Sequence, residues 1–400
     1  MNKKLNRLYS MNTFFFLSLI ASMLSFVSVF LLDKGFSNST IGTVLSVSSI
    51  LAILIQSIEA NFLDKHLDFR LQDGLSINVL IILFGSILLL FTSNNILLIV
   101  FILFIFSIAQ ASETLINSLA FIFEKFGIEI NYGVSRGIGS LAFAVTTLFV
   151  GNIVNQTSPE IIPIFYIIFS FALLIAVRSF KHPQEKRTSL KDSDQATDIS
   201  KQSFLHFITQ YKRLVLVVIG ISFVMFMHIL INNFFIQILL PIGGNTGTMG
   251  NAIFLGAIVE LPAMFNYKRI ESRFSAGTLL KIAALFFVAK HFLTYLATNM
   301  LMIYVAQFIQ IGGYALMYPA GVSYVHSVVS EKDLVKGQSL FTSAIALSSI
   351  AGNFFGGILL DTIGIPNTLI IGTIVTIIGT AIIFLATHTP SSNELDISTQ

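Results

Sequence analysis

Twelve apolar runs, each long enough to cross a membrane, follow one another through this 400-residue chain with little polar sequence between them. A hydrocarbon core about 30 Å thick takes about 20 helical residues to span. The runs lie at about 12–33, 40–62, 75–93, 96–123, 134–155, 159–179, 213–240, 250–268, 277–297, 301–325, 337–360 and 367–387. The fourth and seventh are long enough to tilt or to extend past the bilayer. Composition agrees, with 54% hydrophobic and 11% charged residues and a mean hydropathy of +0.84, a balance foreign to soluble globular domains. The expected class is an all-α membrane protein.

The basic residues test this count, because Lys and Arg gather in cytoplasmic loops. With both termini cytoplasmic, the loops on that side hold 20 of the 23 Lys and Arg residues. Lys34 falls outside, and Arg136 and Lys290 lie within spans. A wrong number of spans would scramble the alternation. The first run follows Lys3, Lys4 and Arg7 as a signal peptide would, but it is too long and ends at Leu32-Asp33-Lys34 without a small-residue cleavage site. It reads as a retained span.

The long polar segment 181–212, rich in Lys, Asp, Ser and Gln, reads as a flexible cytoplasmic linker. It separates an N-terminal six-helix bundle, 1–180, from a C-terminal one, 213–388, which a polar cytoplasmic tail follows at 389–400. The halves echo one another. Arg136-Gly-Ile-Gly-Ser-Leu opens the fifth span and Lys336-Gly-Gln-Ser-Leu the eleventh, while Asp64-Lys65 follows the second and Lys268-Arg269 the eighth. Two related halves of this kind place a solute site between them near the midplane, reached alternately from each side.

Four charges stand inside these runs: Glu113, Arg136, Glu260 and Lys290. An ionisable group there is costly unless it meets a partner or a wet cavity, so it marks a solute or ion pathway. Glu260 lies about ten residues into its run, ~15 Å at 1.5 Å per residue, which is close to the midplane. Burial opposes charge on a carboxylate and a nearby cation supports it, so helix or solute movement can switch its protonation. The alternatives are structural: an ion pair of Glu260 with Lys290, and an Arg136 that snorkels to the surface. Glu113 and Asn117 share a helix face, as do His228 and Asn232, with Asn233 beside them, and Gln307 and Gln310. Intramembrane amides also serve simply as interhelical bonds.

No Gly-x-x-x-x-Gly-Lys-Ser/Thr loop, no His-Glu-x-x-His and no cysteine occurs. The reading is therefore not an enzyme, with no cofactor, no metal and no nucleic-acid partner, and with an energy source other than ATP. Gly243-Gly244, Gly312-Gly313 and Gly356-Gly357 read as turns and close helix contacts.

The loop Asn61-Phe-Leu-Asp64-Lys65-His-Leu-Asp-Phe-Arg70 resembles a degenerate Gly-x-x-x-Asp-Arg/Lys loop of the major facilitator superfamily, with Ala60 where the glycine is usual. Ile41-Gly42, Ala120-Phe-Ile with Glu124-Lys125, Asn131-Tyr-Gly133 with Arg136, Val259-Glu260-Leu261 and Ala351-Gly-Asn353 resemble its lactose permease-like branch of sugar/proton symporters. The resemblance implies the major facilitator fold, twelve helices in two pseudo-symmetric bundles. It also implies a substrate-binding role for Arg136, whose planar fork presents five donors, and a proton-coupling role for Glu260. Lys290 stands near the family's ninth-helix arginine, and Gln310 near the tenth-helix histidine. The acidic partner of the fifth-helix arginine is matched by Leu119, so either Glu113 and Asn117 serve instead or the pairing is lost. The carboxylate that follows the tenth-helix histidine and the eleventh-helix lysine have no counterpart, so substrate and direction do not carry over.

The expectation is a secondary active, proton-coupled, alternating-access transporter of a small polar solute in a bacterial plasma membrane. Substrate would meet Asn117, Arg136, His228, Asn232, Gln307 and Gln310; coupling would use Glu260, Lys290 and Glu113; Glu59, Asp64, Lys65 and Arg70 would form a cytoplasmic gate. The solute is a sugar or another metabolite. One alternative is a dedicated exporter of an anionic or zwitterionic metabolite, such as an amino-acid-derived metallophore. Another is a non-transporting membrane sensor.

Overall fold

A computed structural model describes residues 2–66, 69–125, 132–179 and 201–387. The expected tail at 389–400 and residues 181–200 of the expected linker lie outside the described residues. Among the described residues, twelve helices are long and apolar enough to span a membrane. In the first half these are α1 (Asn2–Asp33), α2 (Asn38–Lys65), α3 (Leu71–Phe91), α4 (Asn95–Lys125), α5 (Tyr132–Gln156) and α6 (Ile162–Arg178). The second half holds α8 (Lys212–Asn233), α10 (Thr246–Phe265), α12 (Ala276–Leu296), the pair α13 (Met300–Ile309) and α14 (Tyr314–Val328), α15 (Leu334–Thr362) and α16 (Gly364–Ala386). Short helices α7 (Lys201–Gln210), α9 (Phe235–Leu239) and α11 (Tyr267–Glu271) lie between them. The end of the molecule that carries the start of α1 and the end of α16 is called the terminal face below, and the other end the distal face.

The structure departs from the apolar runs in three places. The seventh run does not continue as one helix to 240: Phe234 leaves helical geometry, and α9 with a tight turn leads to Gly243 in the left-handed region at φ 82°. The tenth span is broken, since α13 ends at Ile309, Gln310–Gly312 form a 3₁₀ turn, and Gly313 at ψ −104° restarts the chain as α14. The broken segment packs closely on α12, since a Cβ on Gly312 would meet the ring of Phe286. Finally, residues 201–210 of the segment expected to be a flexible linker form α7, with Phe207 buried.

Packing repeats between the halves. In the first, α1 packs on α5 and α6, α3 on α4 and α6; in the second, α8 packs on α15 and α16, α12 on α14 and α16. The halves are joined by two equivalent seams, α2 against α15 and α5 against α10. Without a hydrophobic force between helices in lipid, close approach depends on small residues. A Cβ on Gly42 would strike the Asn353 carbonyl and one on Gly357 the Asn38 carbonyl. Gly151 and Gly250 face each other in the other seam.

Both seams are tight at the distal face. Hydrogen bonds and glycine contacts between α2 and α15 run from residues 38 to 46 on one helix and 350 to 361 on the other, ending with Ser46 Oγ on the Ile350 carbonyl at 2.8 Å. Further along α2, Ile50, Ile53 and Leu54 are exposed. Asp64, Lys65 and Arg70, at the terminal face, are exposed and have no ion pair among the described residues. The α2–α15 seam is fastened at the distal side, whereas the α5–α10 seam keeps contact toward the terminal face as well, where the Phe265 ring lies against Gly137.

Candidate functional site

Between the halves lies a cavity of about 180 Å³ whose lining carries no charged group. Leu24, Leu45, Ser49 and Gln110 come from the first half, and Asn232 and Asn353 from the second. Its amides are held by one another: Ser49 Oγ donates to Gln110 Oε1 at 3.1 Å, and Asn233 Nδ2 donates to Asn353 Oδ1 at 2.6 Å. Ser28 of α1 bonds the Asn233 carbonyl and ties the first helix of one bundle to the first of the other. Asn232 Nδ2 donates to His228 Nε2 at 3.1 Å, one turn away. Such groups offer donors and acceptors to a neutral partner without a net field.

The four intramembrane charges form two groups, and none of them lines this cavity. Arg136 Nη1 lies 3.5 Å from Glu113 Oε1, each side chain being about half exposed. Glu113 therefore pairs with the fifth-helix arginine, while Leu119, the position matched by the resemblance, is buried and apolar. The second group is a chain of three. Lys290 Nζ donates to Gln310 Oε1, and Gln310 Nε2 donates to Glu260 Oε1 at 2.8 Å. Glu260 and Lys290 form no direct ion pair among the described residues. An amide with its two ends fixed thus lies between a buried ammonium and a buried carboxylate.

Helix ends explain why the amide is needed. α10 starts at a capping box, Asn245 Oδ1 accepting from Thr248 N and Thr248 Oγ1 from Asn245 N, both at 2.8 Å. The cap starts the helix four residues before the expected 250, so Glu260 lies ~21 Å from the distal end of α10 and ~7.5 Å from its terminal end, on the terminal side of the helix's own middle. Lys290 lies equally far from the terminal end of the antiparallel α12, ~21 Å along it. Their heights differ, and Gln310, at the break in the tenth span, fills the interval. Interrupted helices at mid-membrane are where transporters place binding groups.

Around Lys290 the polar packing continues. His228 and His291 are buried, with ring centroids 6.4 Å apart, and His291 Nδ1 meets Thr376 Oγ1 at 2.8 Å. Phe287 and Tyr314 also border His228, at 4.9 and 6.0 Å. Gln307 is buried against Gly256 of α10. Asn117 is half-buried on the face of α4 that carries Glu113. Glu59 turns into its own bundle, accepting from Asn78 Nδ2 at 2.7 Å, and that amide also reaches Ser112 at 3.1 Å.

Sequence reasoning passed over Asp361. Its carboxylate accepts from Asn38 N at 3.2 Å, Asn38 Nδ2 at 2.8 Å, Ser39 N at 2.7 Å and Ser39 Oγ at 2.6 Å. Ser37 caps Thr40 N at 3.2 Å, so α2 has its first amides satisfied, two of them by the opposite bundle. Ser49 and Gln110 were missed too, because a Ser or Gln in an apolar run has no signature until the facing helix is placed.

Residues 7–370 match the model of the MFS_1 like family. Maltose permease of Geobacillus stearothermophilus is 28% identical over 393 residues, covering 93% of this chain and 92% of the permease. The uncharacterized transporter YwbF of Bacillus subtilis (strain 168) is 26% identical over 242 residues, 59% of this chain and 57% of that protein. Among solved structures, a mutant of the nucleoside transporter NupG superposes with a TM-score of 0.80 at 15% identity, over 96% of this chain and 99% of that one. A bacterial homolog to the human lysosomal transporter Spinster, inward-facing and unoccupied, gives 0.65 at 14% identity over 98% of each chain.

Proposed function

Because this chain belongs to the MFS_1 like family and is a multi-pass membrane transporter of the major facilitator type, we propose that it carries a neutral, polyhydroxylated, sugar-like solute by alternating access, coupled to protons through Glu260. The uncharged, amide-lined cavity between the halves carries this reading. A ring of hydroxyls satisfies Ser49, Gln110, Asn232 and Asn353 without bringing charge into the membrane. The maltose permease relative supports the same substrate class.

An anionic or zwitterionic cargo is less well served. Arg136 already holds Glu113, and Lys290 is engaged through Gln310 to Glu260, so neither cation is unspent for a carboxylate. In transport, a solute bound from the open side draws the halves together, and a proton on Glu260 weakens its hold on Gln310, releasing the amide to turn. Each event changes the relative stability of the two open states, which is all that coupling requires. The basic residues of the terminal face support a cytoplasmic orientation for it, and the hydrogen bonds of the distal α2–α15 seam support a state closed on the opposite side.

Two measurements test this. Purified protein should be stabilised in a thermal-shift screen by mono- or disaccharides and not by amino-acid-derived carboxylates, and Gln110→Ala should weaken a sugar hit about tenfold, the size of one lost hydrogen bond. Stabilisation by carboxylates alone would reverse the assignment. In proteoliposomes, Glu260→Gln should retain solute exchange but lose accumulation driven by a proton gradient. Accumulation at the wild-type level would remove Glu260 from coupling.

A further inference from the structure

A second cavity, of about 840 Å³, lies outside the transport path on the terminal face of the second bundle. The start of α8, the start of α12 and the ends of α14 and α16 enclose it, with Lys212, Arg213, Ser275, Gly277, Tyr324 and Thr387 in its wall. All of these positions are at helix ends, which puts the cavity at the level where hydrocarbon gives way to headgroups. Lys212 and Arg213 are exposed and form no ion pair among the described residues. One turn along α12, Lys281 Nζ stands 5.6 Å over the ring of Phe384.

Exposed apolar residues stand on the same helices beside the cavity, Leu385 next to its lining residue Ala386 and Leu285 about two turns along α12 from Gly277. Phe384 and Leu385 of α16 are 39% and 80% exposed, and Leu285 of α12 is also exposed. A ligand that fits both parts has an anionic head and hydrocarbon chains. We propose that this cavity binds an anionic phospholipid of the adjoining leaflet, its phosphate between Lys212 and Arg213 and its chains along α12 and α16. Basic pockets at this depth between transmembrane helices suit such headgroups, each cation adding to the attraction. The cavity is walled by α8, the first helix of the second bundle, so an occupied site braces the bundle that carries Glu260 and Lys290.

The chain itself supplies a competitor, since residues 388–400 follow Thr387 and include Glu394 and Asp396. The open apolar side of the cavity favours the lipid. The test is native mass spectrometry of the full-length protein in detergent, titrated with phosphatidylglycerol or phosphatidylcholine. Phosphatidylglycerol should bind at least tenfold more tightly, and K212Q/R213Q should lose about tenfold of that affinity at unchanged helical content. Gly277→Leu, which narrows the cavity beside Thr387 and Tyr324 and leaves its charges in place, should lower it as well. Equal binding of the two lipids, or full binding by both variants, overturns the proposal. So does displacement by millimolar glycerol 3-phosphate, which would mark a site for a soluble anion. A protein ending at Thr387 should bind phosphatidylglycerol as the full chain does; tighter binding would make the tail the natural occupant.

Discussion

Lys290→Met is expected to destabilise the second bundle by about 3–5 kcal/mol, the usual cost of removing one partner from a buried charge network. Lys290 is fully buried, its ammonium bonded to Gln310 and through that amide to Glu260. Without it, Glu260 keeps its carboxylate in a low-dielectric setting with one amide donor and no cation. The double substitution Lys290→Met/Glu260→Gln removes both charges together and should recover most of the loss, because an apolar or neutral replacement of a whole buried pair is far better tolerated than half of it. Unfolding midpoints of the wild type, both single variants and the double variant in one detergent give the coupling energy directly. If the two losses simply add, Gln310 carries no interaction between the charges and the three-residue chain is only a packing arrangement.

Asp361→Ala is expected to loosen the distal face. The carboxylate accepts four hydrogen bonds from Asn38 and Ser39 at the start of α2, and every one must break for the halves to part on that side. An exposed cap of this kind contributes about 1.5 kcal/mol, so its loss should raise the population open at the distal face about tenfold. Adding Gly42→Val should push further, since a Cβ there runs into the Asn353 carbonyl. The chain has no cysteine, so a single cysteine at Ser46, a buried position in the α2–α15 seam, reports the opening without background. Its alkylation should be slow in the parent and about tenfold faster with Asp361→Ala. An unchanged rate would mean that the glycine contacts alone keep the distal face shut.

Some of the candidate site was visible in the chain because intramembrane charge is rare whatever surrounds it. Glu113, Arg136, Glu260 and Lys290 stood out for that reason. Their pairing was less accessible. Glu113 and Arg136 meet across 23 residues of sequence, and the position of Glu260 beyond the middle of its own helix follows from a capping box at Asn245 that lies outside the apolar run. Gln310 looked like one amide among several until the break at Gly312–Gly313 put it between two helices whose charges stand at different heights. Asp361, at the distal end of a span, had nothing nearby in the chain to mark it.

Hydropathy sums over neighbours, so the sequence by itself determined the twelve spans, the division into two halves and the cost of each buried charge. It also determined how close the helices can come, through the glycines at 42, 151, 250 and 357. Tertiary structure alone decided which polar groups meet. Asp361 reaches α2 across more than 300 residues, and Gln110 and Asn353 line one cavity from opposite halves. In lipid every polar group needs a partner, but which partner it finds depends on the register between helices, a property of the packed bundle that no single helix carries.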